Sequence, residues 1–520
     1  MLKKSNIAVF LFFAAYLCAG LIIFKDYGIS WDEPSGISCG RMALRYALEG
    51  DKTLLGSENK YFGPVWAILL IALEKIFNLA DNSRSVYFMR HLVNFLFFYI
   101  GVFFFYLLAK RNFKSWKAGL LASLFLILSP RIFADSFYNA KDIPFLVLFT
   151  ITMYTLIRFL NSKLSVLTAF LHALLCALLI GIRVIGILVP FFTTLFFVAD
   201  LFILKPLLQE RKKAATAFVA YIFFLGIFTI LFWPILWANP LYHFIHSLMQ
   251  MAHYPERVMT LYLGRHLAPT EIPWHYAPVW ILITTPLLYS FCFFIGCFVL
   301  VKQFLKNPAR FYVTARDNLI FLTWLFLPLF AVIILKSSLY DAWRQMFYIY
   351  PAFLLIVLRG IVYIFGFLKD RFHGRVLRII TAVCVTVMAA GLINIAGFMI
   401  RHHPFQNLYF NILAGRDMRA VKKNFDLDYW GLSYRKGLEY ILRNDPDKII
   451  KVCVANKPGL LNSYILSNAD QKRLQYVDEI SEAEYFLSNY RWHSGDYAFK
   501  EKFYSINIGR AKIMVVYKLK

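Results

Sequence analysis

Charged residues are scarce in this chain of 520 residues, where they make up 17% of the total. Typical soluble domains contain about 25%. Hydrophobic residues make up 60%, and phenylalanine alone contributes 53. A soluble fold of this size cannot bury so much apolar surface, which excludes an ordinary cytoplasmic enzyme. The composition also excludes a disordered chain, a collagen and a coiled coil.

Acidic residues are especially few, because 30 Asp and Glu stand against 56 Lys and Arg, which gives a formal net charge of +26. In a soluble protein such an excess would suggest a nucleic-acid partner. In a membrane protein it can instead record topology, because cytoplasmic loops are rich in Lys and Arg. The second interpretation removes the need for nucleic acid.

Cysteine is scarce as well, with seven residues in the whole chain. Most lie in apolar runs, where the thiol behaves as a small apolar group. Cys39 and Cys453 are expected outside the membrane, and a disulfide between them is an open alternative. No spacing of Cys and His matches a zinc site. The sequence does not indicate a particular cofactor, and the predicted function does not require a divalent metal.

Long apolar runs are what the chain has in abundance. A helix that crosses a bilayer needs about 20 predominantly apolar residues. The first run could be a cleaved signal peptide, but its length and the lack of a small-residue cleavage site favour an uncleaved helix. We predict eleven spans, at 7–24, 86–109, 117–133, 143–160, 164–181, 184–204, 214–238, 277–301, 318–336, 346–367 and 378–400.

The basic residues orient these spans. With eleven of them, the loops on the side of the N-terminus hold nineteen basic residues and three acidic ones, so this side is predicted to be cytoplasmic. Residues 61–80 carry Glu74 and Lys75 and are predicted to be an interfacial helix, since a further span would invert every later loop. The basic residues are Lys3, Lys4, Lys110, Arg111, Lys114, Lys117, Lys163, Lys205, Arg211, Lys212, Lys213, Lys302, Lys306, Arg310, Arg316, Lys369, Arg371, Arg375 and Arg378.

The last 120 residues differ in texture from the rest. We predict a transmembrane domain over 1–400, with catalytic outer loops at 25–83 and 129–142, and a small soluble α/β domain over 401–520 that is periplasmic or extracellular. Within the second domain the pattern predicts an amphipathic helix and a buried strand, followed by a terminal hairpin around Gly509. These elements cover 431–443, 449–455, 503–508 and 512–518.

Two adjacent acids follow the first span, in the segment Tyr-Gly-Ile-Ser-Trp-Asp-Glu-Pro at 27–34. A solvated loop start would explain them. They also suit a catalytic carboxylate at the bilayer edge, with Asp32 as general base and Glu33 tuning or orienting it. Trp31 would anchor the loop at the interface.

The second outer segment, 129–144, crowds charges of both signs between two spans. Arg131, Asp135, Lys141 and Asp142 could simply pair with each other. Alternatively, the cations bind a lipid-linked phosphate while a carboxylate, Asp32 or Asp142, removes a proton from an attacking group.

Further candidates face the same predicted side. Arg183 lies at an outer turn and could bind phosphate or satisfy nearby carbonyl groups. Arg344 offers a planar guanidinium for bidentate phosphate contact, or a pair with Asp341 at helical spacing. We also expect contacts with a sugar or an acceptor from Tyr138, Asn139, Tyr340 and Asp341.

These motifs together resemble the C-type membrane glycosyltransferases. The order of one span, an outer Asp-Glu loop, many spans and an outer C-terminal domain is similar to the protein O-mannosyltransferase and lipid A aminoarabinose transferase group. Segments 129–144, 339–344, 403–411 and 428–431 resemble a bacterial branch of that group.

The resemblance implies a GT-C fold and a polyprenyl-phosphate sugar as donor. An acceptor hydroxyl on a protein, lipid or glycan attacks the anomeric carbon, usually with inversion, and Asp32 matches the base. Lys141, Arg131 and Arg344 would neutralise the departing phosphate. The transferred group would be a hexose or a pentose.

Two other classes of function compete with this hypothesis. A transporter or flippase for a polar lipid would carry functional charges deep in its spans and often show internal repeats. Here most charges lie at span ends and no repeat is evident, which favours the enzyme. An outer-surface receptor would leave the acidic loops unexplained.

The predicted topology can be tested with reporter fusions. A reporter fused after residue 117 should be cytoplasmic and one fused after residue 420 should lie outside, because an odd number of spans separates them. Protease protection or alkaline phosphatase activity would locate each reporter. Finding both reporters on the same side would contradict the eleven-span topology.

Overall fold

The computed structural model describes residues 4–161, 165–204, 207–252, 254, 258–493 and 495–520. Three of the basic residues counted above, Lys3, Lys163 and Lys205, lie outside the described residues. Short 3-10 helices precede two of the α-helices, at Val184–Ile187 and Arg344–Ile349.

Within these residues the fold is mostly helical. The helices are α1 (Lys4–Ile23), α2 (Glu33–Glu49), α3 (Thr53–Gly56), α4 (Val65–Ile76), α5 (Ser83–Phe113), α6 (Trp116–Ile127), α7 (Pro130–Tyr138), α8 (Asp142–Asn161), α9 (Val166–Ile180), α10 (Leu188–Ile203), α11 (Leu208–Phe232), α12 (Pro240–Ala252), α13 (Tyr276–Thr284), α14 (Leu287–Lys306), α15 (Pro308–Ile334), α16 (Tyr350–Arg371), α17 (Gly374–Arg401), α18 (Met418–Asn424), α19 (Tyr434–Asn444), α20 (Pro458–Leu461) and α21 (Asn468–Arg473).

Seven described strands complete the chain. They are β1 (Thr260–Tyr262), β2 (Arg265–Leu267), β3 (Ile450–Val454), β4 (Leu474–Tyr476), β5 (Tyr485–Ser488), β6 (Glu501–Ile508) and β7 (Ala511–Lys518).

Nine helices in the described ranges are long and apolar enough to cross a membrane, or ten if a bent pair counts as one span. They are α1, α5, α8, α10 with its 3-10 turn, α11, α14, α15, α16 with its 3-10 turn, and α17. The bent pair is α6 and α7, and α9 is a shorter apolar helix. Nine of the eleven predicted spans overlap one of the nine long helices, the third predicted span is the bent pair, and the fifth is the shorter helix α9. The polytopic helical membrane fold is confirmed, with nine or ten long apolar spans in the described ranges.

The third predicted span was wrong in its course. Helix α6 ends at Ile127, and α7 then turns away from it by 71°. Pro130 causes this break, because proline lacks the N–H that would continue the helix but suits the first turn of a new one. All nine residues of α7 are buried, so much of the predicted loop 129–142 is a buried helix.

The predicted span 277–301 is also interrupted. It consists of α13 and α14, which are separated by Thr285 and Pro286. By contrast, the ambiguous segment 61–80 contains only the twelve residues of α4. At about 18 Å this helix is too short to cross a hydrocarbon core of about 30 Å, in agreement with the prediction.

The C-terminal sheet has the strand order β4-β3-β5-β7-β6. Strand β3 runs parallel to β4 and β5, while β7 is antiparallel to β5 and β6. The predicted helix, strand and terminal hairpin are confirmed as α19, β3 and β6–β7. Gly509 lies in the hairpin turn at a φ of 55°, which glycine adopts without strain. Cys39 and Cys453 are both free thiols.

The polypeptide between α17 and the sheet packs into the same apolar core as the spans. Phe405, Leu408, Trp430 and Leu432 are buried there. A separate cluster beneath the sheet includes Leu438 and other residues of α19. The division of the chain at residue 400 stays a prediction.

Helices α14 and α16 approach each other closely at two glycines. A Cβ atom on Gly296 would collide with the carbonyl oxygen of Ile356, and one on Gly360 would collide with that of Cys292. Small residues allow such close contact between membrane helices, where dispersion forces and packing replace the hydrophobic effect.

We therefore predict that Gly296→Ala destabilises the protein by about 1–3 kcal/mol, because the helices must move apart. Thermal unfolding of detergent-purified protein would measure this. Gly226→Ala is the matched control, since Gly226 lies in α11 with open space around it. An unchanged melting temperature for Gly296→Ala would contradict the close packing.

Candidate active site

Asp32 and Glu33 stand where the chain enters α2, yet their surroundings differ. The Asp32 side chain is 37% exposed and its Oδ2 lies 2.9 Å from Nη1 of Arg344. Glu33 is buried, and its Oε2 accepts hydrogen bonds from the backbone N–H and the hydroxyl of Ser30, at 2.6 and 3.0 Å. Its Oε1 lies 3.1 Å from Nε2 of His91. Glu33 therefore holds the loop, while Asp32 keeps an accessible oxygen.

Arg344 ties several acidic residues together. Beyond Asp32, its guanidinium lies 3.1 Å from Asp142 and 3.4 Å from Asp341. It also lies over the rings of Tyr340 and Trp430, 5.0 and 4.6 Å from their centroids. The helical-spacing pair predicted as an alternative is present, but Asp341 also binds Arg491 at 2.7 Å.

Asp142 is enclosed by donors at the start of α8. Its Oδ2 accepts from Asn139 Nδ2 at 3.0 Å, and its other oxygen pairs with Arg183. The Asp142 N–H in turn donates to Asn139 Oδ1 at 2.8 Å. With Arg344 also in contact, the side chain of Asp142 is only 1% exposed. This geometry is better suited to holding cations in position than to accepting a proton from a substrate.

Tyr138 and Asn139 share a second buried acid. Tyr138 donates to Asp135 Oδ1 at 2.7 Å, and Asn139 Nδ2 lies 3.0 Å from Asp135 Oδ2. The sequence placed Asp135 among the charges of segment 129–144 but assigned it no role in the site. It fixes the turn between α7 and α8 on which Lys141 stands.

Lys141 is the cation that this network leaves available. Its Nζ lies 3.4 Å from the centroid of the Phe62 ring, and no carboxylate of the described chain lies within 4 Å of it. Burial lowers the pKa of Lys141 to about 8, with repulsion from Arg183 as the next cause and Asp32 and Asp142 opposing the shift. The approach of an anion would stabilise an ammonium group in these surroundings.

Arg131 lies apart from the other predicted cations. It is buried, and its Nε donates to the carbonyl oxygen of Tyr409 at 3.1 Å. Its guanidinium lies 4.5 Å from the ring centroid of Phe410 and 5.3 Å from that of Trp280. The structure therefore does not bring Arg131 together with Lys141.

A cavity of about 520 Å³ joins the remaining candidates. Arg183 and Arg344 do not line it, but Arg344 contacts the lining residue Asp32, and both arginines contact Asp142. The predicted residues that line it are Asp32, Glu33, Tyr138, Asn139, Lys141 and Tyr340, and further lining residues include Trp31, Glu58, Asn59, Phe62, Trp66, Arg90 and Lys457.

Sequence reasoning missed several residues of this site. Arg90 lines the cavity and donates to Glu74 at 2.6 Å, and His91 contacts Glu33. Both lie in α5, and a charged or polar residue within an apolar helix could have indicated a functional role. Lys457 comes from the C-terminal domain, and no local pattern marked it.

The arrangement supports acid-base chemistry next to an anion site. An exposed carboxylate can accept a proton, while a cation without a partner can neutralise a phosphate. A metal centre is a separate matter. Across the described residues, no group of three or more His, Cys, Asp or Glu side chains is arranged to hold a metal ion.

Known proteins resemble this chain in their structures but not detectably in their sequences. Neither the protein-family models nor the curated protein sequences contain a match. The structure of ArnT from Cupriavidus metallidurans in the apo state aligns with a TM-score of 0.51 at 13% identity, covering 99% of this chain and 98% of that one. ArnT bound to undecaprenyl phosphate gives 0.49 with the same identity and coverage.

A third solved structure is more distant. The Archaeoglobus fulgidus oligosaccharyltransferase, in complex with Zn and sulfate, aligns with a TM-score of 0.43 at 12% identity, over 82% of this chain and 59% of that one. ArnT is a lipid A aminoarabinose transferase, and both neighbours have the GT-C fold. The apo ArnT alignment confirms the GT-C fold that the sequence resemblance implied.

Proposed function

We propose that this protein is a membrane glycosyltransferase that moves a hexose or pentose from a polyprenyl-phosphate donor to an acceptor hydroxyl. The proposal is based on the presence of two groups on the wall of one cavity. Asp32 is an accessible carboxylate, and Lys141 is a cation with no carboxylate of the described chain within 4 Å. The cavity lies near the start of α5 and just before the start of α8, where a lipid-linked substrate would present its head group.

In the proposed reaction Asp32 accepts the proton of the acceptor hydroxyl. The oxygen attacks the anomeric carbon, the bond from that carbon to the phosphate oxygen breaks, and the phosphate leaves with the electron pair. Lys141 then neutralises the charge that develops on the phosphate. A cation already in place lowers the barrier because it needs no reorganisation during the reaction.

The neighbouring arginines have supporting roles in this proposal. Arg344 contacts Asp32 at 2.9 Å and so holds this carboxylate at the wall of the cavity. Arg183 is held by Asp142 and adds positive charge behind Lys141. Tyr138, Asn139 and Tyr340 line the same cavity and are proposed to contact the sugar or the acceptor.

The proposed donor has two sources of support. The sequence motifs resemble enzymes that use such lipids, and ArnT, which shares the fold, has been crystallised with undecaprenyl phosphate. The proposed orientation has a cytoplasmic N-terminus and places Asp32 at the periplasmic or extracellular face. The acceptor is proposed to be a protein, lipid or glycan.

We predict that Asp32→Asn lowers sugar transfer by about 10²–10⁴-fold, because the amide cannot accept the proton. Purified protein would be incubated with a panel of polyprenyl-phosphate sugars, and release of polyprenyl phosphate would be followed. Asp81→Asn is the matched control, since Asp81 is exposed in the same predicted outer segment and does not line the cavity.

The outcomes separate the hypotheses. Normal turnover by a folded Asp32→Asn protein would contradict the base assignment. Consumption of none of the donors by the wild type, together with movement of an intact lipid across vesicle membranes, would favour the transporter instead. Thermal unfolding of each variant would show whether a loss of activity reflects the chemistry.

We also predict that donor capture weakens as pH rises. The Lys141 pKa of about 8 means that the cation prevails below pH 8 and is lost above it. Between pH 7 and pH 9 its protonated fraction falls about tenfold, so kcat/KM, which reports the free enzyme, should fall similarly.

Lys141→Met provides the test of this assignment. The variant should have a low kcat/KM that no longer falls over this pH range, whereas Lys52→Met, at an exposed lysine outside the cavity, should retain the wild-type profile. An unaltered profile in Lys141→Met would assign the pH dependence to another group.

A further inference from the structure

A second cavity, of about 740 Å³, opens at the opposite ends of the helices that carry the first one. It lies among the start of α1, the end of α5, the start of α6 and the end of α8. Its lining residues are Ser5, Asn6, Tyr106, Leu107, Lys110, Arg111, Lys114, Ser115, Trp116, Tyr154, Arg158 and Asn161.

The distance between the two cavities can be estimated along helix α5, which contributes a residue to each. Arg90 lines the first and Lys110 lines the second, twenty positions further along the same helix. At 1.5 Å per residue they are about 30 Å apart, which equals the thickness of a bilayer's hydrocarbon core. The second cavity therefore faces the other side of the membrane from Asp32.

Four cations line this cavity, and none of its lining residues is acidic. Lys110, Arg111, Lys114 and Arg158 are all exposed, and within the described ranges none has a carboxylate within 4 Å. Asp317 lies behind the wall, where it accepts a hydrogen bond from Asn161 and interacts electrostatically with Arg111.

Topology alone explains basic residues at this face but not their arrangement. Here they come from three separate segments, the end of α5, the α5–α6 turn and the end of α8, and they surround one concavity. Lys114 closes α5 in the left-handed conformation, at a φ of 50°, and this turn brings the next helix back beside α5. Tyr106, Trp116 and Tyr154 add aromatic groups of the kind that lie at head-group level.

We propose that this cavity binds the head group of an anionic phospholipid, best one that carries two phosphates. Basic pockets between membrane helices recognise such head groups, and four cations allow two cations to contact each of two phosphates. The neighbouring surface of α1 suits the acyl chains, because Ile7 and Phe10 are 45% and 70% exposed just beyond the polar residues Ser5 and Asn6.

The test uses the full-length protein in detergent. Tetraoleoyl cardiolipin, phosphatidylethanolamine and inorganic pyrophosphate would be titrated separately, with binding followed by native mass spectrometry and thermal shift. We expect cardiolipin to bind, phosphatidylethanolamine to bind at least tenfold more weakly, and pyrophosphate not to displace cardiolipin. If pyrophosphate displaced cardiolipin, the proposal of a lipid ligand would be wrong, and the cavity would be assigned to a soluble phosphate compound.

A charge-matched pair of variants separates this cavity from the general charge of the face. The cavity variant is Lys110→Ala/Arg111→Ala/Lys114→Ala, and the control is Lys306→Ala/Arg310→Ala/Lys369→Ala, which removes three exposed cations predicted to lie on the same face. Cardiolipin affinity should fall on the order of 100-fold in the first variant, at about fivefold per cation, and stay unchanged in the control.

Equal losses in the two variants, or no binding by the wild type, would overturn the proposal. If the triple variant does not insert, Arg158→Gln removes one cation and should weaken cardiolipin about fivefold. Because the Asp32 cavity is about 30 Å away, these results do not depend on whether the protein transfers a sugar.

Discussion

The guanidinium of Arg344 is the contact on which the candidate site depends. It meets the loop after α1 through Asp32, the start of α8 through Asp142 and its own turn through Asp341, and it lies over Trp430 from the segment before α19. Four pieces of chain distant in sequence are thus fixed to one another by one planar group. Removing such a group would leave several carboxylates close together and uncompensated, which is costly in a buried site.

The helical part of the fold could be predicted from the sequence because the membrane imposes a simple constraint. A span must satisfy its own backbone hydrogen bonds and present an apolar surface about 20 residues long, so each span is visible in isolation. What could not be predicted is how a run ends. Pro130 and Pro286 each lie within a predicted span, and in both cases a helix ends just before the proline and a new one begins at or after it.

The candidate site was predictable only in part, for a related reason. Asp32, Lys141 and Arg344 were recognisable because charges at span ends are unusual enough to require an explanation. Their mutual distances were not, since the pair of Arg344 with Asp142 joins residues 202 positions apart. Arg131 resembled Lys141 in the sequence, yet α7 turns it towards Phe410, away from the cavity. No periodic pattern encodes such contacts between remote segments.

The three acids predicted to be catalytic differ in what their oxygens already bind. Glu33 accepts two hydrogen bonds from Ser30 and contacts His91, and Asp142 is surrounded by Asn139, Arg183 and Arg344.

A carboxylate whose lone pairs are occupied has to break those bonds before it can take a proton, which raises the barrier. Among the three, Asp32 alone combines one ionic contact with a side chain that is 37% exposed. This difference supports the proposal that Asp32 is the base and that Glu33 and Asp142 position their neighbours.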